Sequence, residues 1–291
     1  MKTPLVSIAL PVFNAERTLA AAIRSILLQT YSNWEIILID DGSSDNSLRV
    51  AESFQDDRIR VFADGANKGI SSRLNQAIDL SEGEYFARMD ADDISFPDRI
   101  EEQIAYMNTN KKVDLLGTGI LYFNANGCAL GTLPIRETHE DICRRPWAGF
   151  YFPHPTWFGR IEWFRQNRYR SFADKAEDQD LLFRTYRHSR FACLPKVLLA
   201  YREESRSLYK MLCARHSFFK AIFSESFTNR HISVIFKLFL IQLAKITGDI
   251  LNVRLGFKSL RNPLLPVATD LLNRWNQLYS DLTAQTELPQ V

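Results

Sequence analysis

Residues 6–14 read VSIALPVFN, an aliphatic run that ends in a proline and a polar loop. A short apolar run bounded by a turn signal predicts a buried strand, here over residues 6–10. Similar runs predict further strands at 35–39, 58–62, 85–89 and 113–117. Amphipathic patterns between them predict helices at 15–28, 44–54, 71–80 and 97–107. This alternation is typical of stacked βαβ units around a largely parallel sheet, so the fold class is α/β.

Size and composition are those of an ordinary folded protein. At roughly 150 residues per domain, 291 residues predict two units, or one large α/β domain with an appendage. The 36 basic and 34 acidic residues nearly cancel, which argues against a dedicated nucleic-acid binder. The four cysteines match no metal or redox spacing, and we expect reduced thiols in a cytoplasmic protein. We expect neither a signal peptide nor a segment that spans a bilayer.

The pattern changes after residue 120. Asn126-Gly127, flanked by apolar residues, predicts a hairpin with a tight turn, so the sheet becomes mixed. A helix is predicted over 176–188 and a strand pair around 191–201. From residue 205 onward the pattern is helical almost to the end, and residues 184–262 carry a net charge of +11.

Polar loops follow each of the first four predicted strands. They contain Pro11 to Glu16, Asp40-Asp41-Gly42, Asn67-Lys68-Gly69 and Asp90-Ala91-Asp92-Asp93. In parallel sheets ligands bind outside the carboxyl ends of the strands, where these loops meet. The sequence therefore predicts one composite site.

Asp90 and Asp92 place two carboxylates within reach of one divalent cation, and hard oxygen ligands favour Mg²⁺ or Mn²⁺. Taken alone, the Asp-x-Asp pattern more often caps the following helix. Asp178 at a helix start is, by itself, most often a favourable charge at the positive end of the helix dipole. The other motifs along the sequence decide between these interpretations.

The series of motifs resembles the inverting family 2 glycosyltransferases, which have the GT-A fold. The resemblance covers residues 6 to about 201 and lies in five motifs that follow the family's order. These motifs are VSIALPVFN, the 36–45 strand and acidic turn, Asn67-Lys68-Gly69 with Arg73 and Asn75, Asp90-Ala91-Asp92-Asp93, and Glu177-Asp178-Gln179-Asp180-Leu181. Five motifs in order are far more specific than any one. The resemblance implies a Rossmann-like mixed central sheet with a nucleotide-binding βαβ half over 1–204, and a basic, mostly helical extension over 205–291.

The resemblance also implies roles for individual residues. The donor nucleotide sugar would contact Pro11, Phe13, Glu16, Asp41, Asn67, Arg73 and Asp90. Asp90 and Asp92 would bind Mg²⁺ or Mn²⁺ with the diphosphate, and Asp178 would be the base that deprotonates the acceptor hydroxyl. Glu177 and His154 would lie on the acceptor side, although a histidine between two prolines is as often structural.

One departure from the family pattern and one group of aromatic residues bear on the site. Many relatives carry a histidine after the strand that matches 198–202, whereas this chain reads Glu203-Glu204-Ser205-Arg206-Ser207, which puts a third metal ligand in doubt. Aromatic side chains near His154 could stack on an acceptor sugar, but such clusters are more often core: Trp147, Phe150, Tyr151 and Trp157.

The implied function is transfer of one sugar, with inversion, from a nucleotide donor, most often a uridine one, to a hydroxyl of a carbohydrate or lipid-linked glycan. Bacterial surface polysaccharide synthesis is the implied setting. The alternatives are a non-catalytic nucleotide-sugar or carbohydrate-binding module and a sugar nucleotidyltransferase.

The basic C-terminal third carries apolar residues at helical spacing beside Lys237 and Lys245: Ile232, Ile235, Phe236, Phe239, Leu240, Leu243 and Ile246. An amphipathic basic helix is suited to lie on an anionic membrane, here the inner face of the cytoplasmic membrane. The alternative is that the apolar residues pack on the catalytic domain while the basic face is solvated.

Overall fold

The structure is a computed structural model that describes residues 3–203, 208–228, 232–255 and 264–284. The strands are β1 Val6–Val12, β2 Trp34–Asp40, β3 Ile59–Ala63, β4 Tyr85–Arg88, β5 Ile94–Ser95, β6 Leu115–Phe123, β7 Ala129–Thr132, β8 Phe158–Arg160 and β9 Phe191–Arg202. The helices are α1 Leu19–Leu27, α2 Ser47–Glu52, α3 Ile70–Leu80, α4 Arg99–Thr109, α5 His139–Ile142, α6 Ile161–Gln166, α7 Glu177–Thr185, α8 Leu208–Thr228, α9 Ile232–Leu255 and α10 Thr269–Ala284.

One mixed sheet organises these elements, in the order β3-β2-β1-β4-β8-β6-β9-β5, with β7 paired to β6. β1 lies parallel to both β2 and β4, and β2 lies parallel to β3. β8 is antiparallel to β4 and to β6. The parallel half and the change to a mixed sheet are both as predicted, and the carboxyl ends of β1, β2 and β4 reach the same edge.

Apolar side chains cover both faces of the sheet. β2 is buried along its whole length, because α1 packs on one face and α3 on the other. α1 presents Leu19, Ala22, Ile23 and Ile26 to one core cluster, and α3 presents Leu74, Ala77 and Ile78 to the other. This packing fixes the sheet edge on which the polar loops stand.

Several predicted helices begin later or end earlier than their patterns indicated. Ala15 and Glu16 are held in a turn by the Ser47 hydroxyl and the Asp45 carboxylate, so α1 begins at Leu19. Ser43 and Ser44 bond to Asn14 instead of capping a helix, so α2 begins at Ser47. Hydrogen bonds between neighbouring loops thus decide where these helices begin, and periodicity does not show them.

The strand pair predicted around 191–201 is wrong, because β9 is a single strand. It runs parallel to β6, with Thr118 opposite Leu194 and Gly119 opposite Val197. Pro195 and Lys196 are therefore extra residues that bulge out of the ladder, as expected for a proline, which lacks an N–H to donate. The short strands β5 and β8 were not predicted.

The predicted hairpin is present, and the last helix packs on it. Phe123 pairs with Ala129 across the turn, in which Gly127 has φ +78°. Trp275 of α10 is fully buried against Phe123, and its Nε1 donates to the Gly127 carbonyl over 2.8 Å. The described chain after residue 205 is helical except at 264–268, where Leu265 pairs with Thr132, and the predicted boundary at 204 lies outside the described residues.

Candidate functional site

The loops after β1 and β2 are bound to each other. Asn14, in the left-handed region at φ +50°, receives a hydrogen bond from the Ser44 backbone N–H and donates its own N–H to the Ser43 hydroxyl. The Glu16 carboxylate accepts from both the backbone and the side chain of Asn46, which lowers the pKa of Glu16. Asp41 N–H donates to the Val12 carbonyl. These hydrogen bonds fix the positions of the two loops relative to each other.

A cavity of about 500 Å³ opens at this edge of the sheet. The predicted residues that line it are Pro11, Phe13, Glu16, Asp90 and Asp92. The other lining residues belong to the loops after β1 and β4, apart from Asp45 in the loop after β2. The Phe13 ring is 53% exposed, so its face is available to stack on a planar base. The structure thus brings five of the predicted donor and metal residues around one opening.

Asp41 and Arg73 are bound to each other and do not line this cavity. The buried Asp41 carboxylate accepts from Arg73 Nε at 2.7 Å and from the backbone N–H groups of Lys68 and Gly69. The buried Arg73 guanidinium also holds Asp64, whose pKa it lowers well below the usual range. Contacts of Asp41 and Arg73 with the donor therefore stay predictions; in the structure the pair holds the 64–69 loop.

Asn67 is exposed on that loop, and the loop lies close to the β2 turn. Gly42 has φ +72°, and a Cβ there would lie 2.9 Å from the Ala66 carbonyl carbon. Only glycine accommodates both the left-handed backbone and this close approach. Asn67 is therefore available to a ligand at the same edge, and its predicted donor contact stays a prediction.

Arg88 is a residue beside the acidic loop that the sequence analysis missed. Its buried guanidinium forms a two-pronged ion pair with Asp90, in which Nη1 lies 2.7 Å from Oδ2. Burial disfavours the charged guanidinium, but Asp90, Asp93 and Glu177 more than offset this, so the pKa of Arg88 is raised. A charged residue in the buried strand β4, two positions before Asp90, is the signal that could have identified it.

Asp93 is a second missed residue and is buried beneath the loop. Its Oδ1 accepts from the Arg202 N–H at 3.0 Å, and Arg202 Nε donates to the Asp92 carbonyl. Burial and the neighbouring Asp90 and Asp92 raise the pKa of Asp93 well above its usual value. Asp93 thus ties the end of β9 to the acidic loop and is not exposed for ligand binding.

The acidic loop fits a divalent cation that is completed by the substrate. Asp90 and Asp92 both line the cavity and supply hard oxygen donors. In the described part of the chain, no three His, Cys, Asp or Glu side chains converge as a metal cluster. Mg²⁺ is commonly held by one or two carboxylates plus substrate phosphates, so two aspartates suffice for such a site.

His154 lies in a buried network on the predicted acceptor side. Its Nε2 is 3.0 Å from the Tyr169 hydroxyl, and its Nδ1 is 3.5 Å from Glu177 Oε1. Burial, followed by the nearby Arg88, lowers the pKa of His154 to about 3, so the imidazole is neutral at physiological pH. Asn75 fixes Tyr169 through two hydrogen bonds to its backbone. His154 therefore acts as a neutral hydrogen-bonding group.

Asp178 is in the first turn of α7, beside this network. Its Oδ2 accepts a hydrogen bond of 2.9 Å from the Gln179 side chain, and Gln179 is in turn held by the Phe150 N–H. Burial raises the pKa of Asp178; His154 opposes this and Glu177 adds to it. The negative charges of Asp178 and Asp90 both act to raise the pKa of His154, but burial outweighs them.

The aromatic side chains near His154 are mostly core. Phe150 and Trp157 are buried, and Trp157 stands edge-on to His154 with 4.5 Å between ring centroids. Trp147 lies under the Lys237 ammonium group at 4.5 Å. Tyr151 is partly buried, and its hydroxyl has no hydrogen-bond partner in the described structure. Because the rings of Phe150 and Trp157 are buried, they are not available to stack on an acceptor sugar.

Comparison with known proteins agrees with this geometry. The model of the family described as "Glycosyl transferase family 2" matches residues 7–168. The putative glycosyltransferase EpsE of Bacillus subtilis is 36% identical over 209 residues, which are 69% of this chain and 74% of EpsE. The Escherichia coli protein named UDP-Glc:alpha-D-GlcNAc-diphosphoundecaprenol beta-1,3-glucosyltransferase WfgD is 42% identical over 140 residues, 48% of this chain and 55% of WfgD.

Solved structures show the same fold at low sequence identity. Residues 1–349 of Staphylococcus aureus TarS in complex with UDP give a TM-score of 0.59 at 18% identity, and the match covers 97% of this chain and 81% of that TarS fragment. The Pyrobaculum calidifontis mannosyltransferase PcManGT, in complex with GDP-Man and Mn²⁺, has a TM-score of 0.59 at 16% identity, covering 99% of this chain and 77% of PcManGT. The predicted GT-A fold is confirmed. The chain belongs to glycosyltransferase family 2.

Proposed function

We propose that this glycosyltransferase moves a sugar, with inversion at the anomeric carbon, from a uridine diphosphate sugar to a hydroxyl of a lipid-linked glycan. One arrangement carries the proposal: Asp90 and Asp92 line the cavity, while Asp178, the proposed base, lies in the first turn of α7 next to Glu177, whose carboxylate is 3.5 Å from the buried His154. Base and leaving group must stand on opposite sides of one anomeric carbon in an inverting transfer, and this arrangement supplies a carboxylate for each side.

The donor half of the site would bind the nucleotide. Phe13 offers an exposed ring face for the base, while Glu16 and Asp90 line the cavity beside it. Asp92, with Asp90, would hold Mg²⁺ or Mn²⁺ against the diphosphate. That cation, when bound, supplies positive charge to the leaving diphosphate. PcManGT in complex with Mn²⁺ and the TarS structures in complex with UDP and UDP-GlcNAc support this assignment by analogy.

The acceptor half would deprotonate the attacking hydroxyl. The hydroxyl oxygen bonds to the anomeric carbon, the bond from that carbon to the phosphate oxygen breaks, and the hydroxyl proton passes to Asp178. A carboxylate whose pKa is raised is a stronger base and suits this role. The Gln179 amide fixes the carboxylate, while Glu177 and the neutral His154 would hold the acceptor or the donor sugar nearby.

The setting follows from the relatives and the cysteines. The name of WfgD describes a lipid-linked acceptor, GlcNAc-diphosphoundecaprenol, which supports a lipid-linked acceptor here. All four cysteines are free, in keeping with a reducing compartment. We therefore propose polysaccharide synthesis in the cytoplasm, at the inner face of the membrane.

The test is a screen of sugar nucleotides with Mg²⁺ or Mn²⁺ and a lipid-diphosphate glycan, scored by metal-dependent release of nucleoside diphosphate. We expect release with at least one uridine donor, together with an inverted linkage in the product by NMR. Release of pyrophosphate would instead identify a nucleotidyltransferase. Donor binding without any turnover across the screen would identify a binding module.

A further inference from the structure

Helix α9 exposes a row of large apolar side chains. Ile232, Phe236, Phe239, Leu240 and Leu243 are between 48% and 77% exposed, and their spacing places them on one side of the helix. Phe223 and Phe227, in the last turns of α8, are also exposed, and they stack on each other with ring centroids 5.9 Å apart. We call these seven residues the α8–α9 apolar face. An exposed apolar group of this kind marks an interaction site.

Packing on the catalytic domain uses other side chains of α9. Leu238 is fully buried and Gln242 nearly so. Lys245 Nζ donates to the Ala148 carbonyl over 2.5 Å, so this lysine faces the domain, contrary to the expected solvated basic face. α9 is therefore already attached through its polar and apolar inner side. Its outer side is apolar as well, and no described residue covers it.

The charge of α8 and α9 indicates which kind of partner binds the α8–α9 apolar face. The helices α8 and α9 contain six Lys and Arg against Glu225 and Asp249. Lys220 and Lys237 are exposed and lie over aromatic rings of the domain. Near an anionic lipid surface each such cation raises the partition coefficient by about fivefold. A second copy of the chain would bring like charges together, which disfavours a dimer across this face.

We propose that the α8–α9 apolar face inserts into the headgroup region of an anionic bilayer. No described helix is long and apolar enough to cross a membrane, so the helices would lie in the interface. The apolar side chains would enter the boundary of the acyl chains, and the net positive charge of the helices would attract the anionic lipid phosphates. This surface is distinct from the transfer reaction and can be tested without it.

The face is mechanically connected to the proposed base. Arg170 Nη1 donates to Glu225 of α8 at 3.1 Å, and Arg170 Nε donates to the buried Asp180 of α7 at 3.0 Å. Arg184 pairs with the same Asp180. α7 carries Asp178 in its first turn, so a chain bound by this face holds Asp178 at a fixed height above the lipid headgroups.

The experiment is co-sedimentation of the full chain with vesicles of phosphatidylglycerol and phosphatidylcholine, or of phosphatidylcholine alone. The test variant is Phe236→Ser/Phe239→Ser/Leu243→Ser, whose positions are exposed and whose loss leaves the inner side of α9 intact. The control is Leu28→Ser/Leu130→Ser, which removes two exposed leucines, one directly after α1 and one in β7. Circular dichroism checks the folding of all three proteins.

We expect the wild type and the control to bind anionic vesicles at low salt and to be released at high salt. The triple variant should bind at least about tenfold more weakly. No binding by the wild type, or equal binding by the triple variant, would overturn the proposal. Wild-type dimers in sedimentation that the triple variant converts to monomers, without vesicle binding, would also overturn it, because the occupant is then a second copy.

Discussion

Replacement of Asp178 by Asn tests the assignment of the base directly. The change keeps the size and planarity of the side chain and removes its basicity. The Gln179 side chain donates to Asp178 Oδ2, and an Asn carbonyl oxygen can accept the same hydrogen bond, so the local geometry should persist. Asp178 does not line the 500 Å³ donor cavity, so the affinity for the nucleotide should change less than about twofold.

The expected loss in kcat is about 10²- to 10⁴-fold, which corresponds to about 3–5 kcal/mol of transition-state stabilisation. In the wild type the rate should fall as the pH drops through the pKa of Asp178, because the protonated acid cannot accept the hydroxyl proton. Burial raises that pKa, so this fall should begin at a higher pH than for an ordinary aspartate.

The assay is nucleoside diphosphate release at saturating donor, with donor affinity measured separately by calorimetry. Asp270→Asn is the matched control, since Asp270 also lies in the first turn of a helix but is exposed. A kcat in Asp178→Asn above about a tenth of the wild-type value would refute the assignment, because a base contributes far more than tenfold. So would an equal loss in the control.

Three further outcomes follow from the structure. Chelator should abolish activity reversibly. Asp92→Asn should weaken metal-dependent binding of UDP at least about tenfold in calorimetry, and an unchanged affinity would show that Asp92 is not a metal ligand. Arg88→Met should lower the free energy of unfolding in urea by about 3 kcal/mol, because it leaves Asp90 without its buried partner. The double variant Arg88→Met/Asp90→Asn should recover part of this loss, and no recovery would contradict the pairing. Trp275→Ala should cost about 3–5 kcal/mol by urea denaturation followed by circular dichroism, and a cost below about 1 kcal/mol would show that α10 does not anchor the sheet.

The sheet edge and its loops were predictable because strand ends converge by geometry alone. Once residues 6–10, 35–39 and 85–89 were assigned to parallel strands, their polar loops had to meet, and Phe13, Asp90 and Asp92 do line one cavity. Long apolar runs determine strand identity strongly. Strands of two or three residues, such as β5 and β8, carry no periodicity and were missed.

Pairings between distant residues could not be predicted. The ion pair of Arg73 with Asp41 spans 32 positions, and nothing local distinguishes an arginine that binds a loop carboxylate from one that binds a phosphate. Arg88 was overlooked because a strand of four residues does not show which of its side chains faces the site. The apolar period of α9 was recognised, but periodicity cannot tell that Leu238 faces the domain while Phe236 faces outward.

The burial of Trp275 has a consequence for the order in which this protein folds during synthesis. Trp275 completes a cluster with Ile94, Phe96 and Phe123, residues that the ribosome makes far earlier. Domains fold from the amino end as the chain emerges, so strands β1 to β4 can assemble while this cluster stays open. The apolar helices α8 and α9 emerge during that interval, before α10 closes the far edge of the sheet. A newly made chain thus presents its most apolar surface while its fold is still incomplete, which favours early capture by a lipid surface or a chaperone over a long stay in free solution.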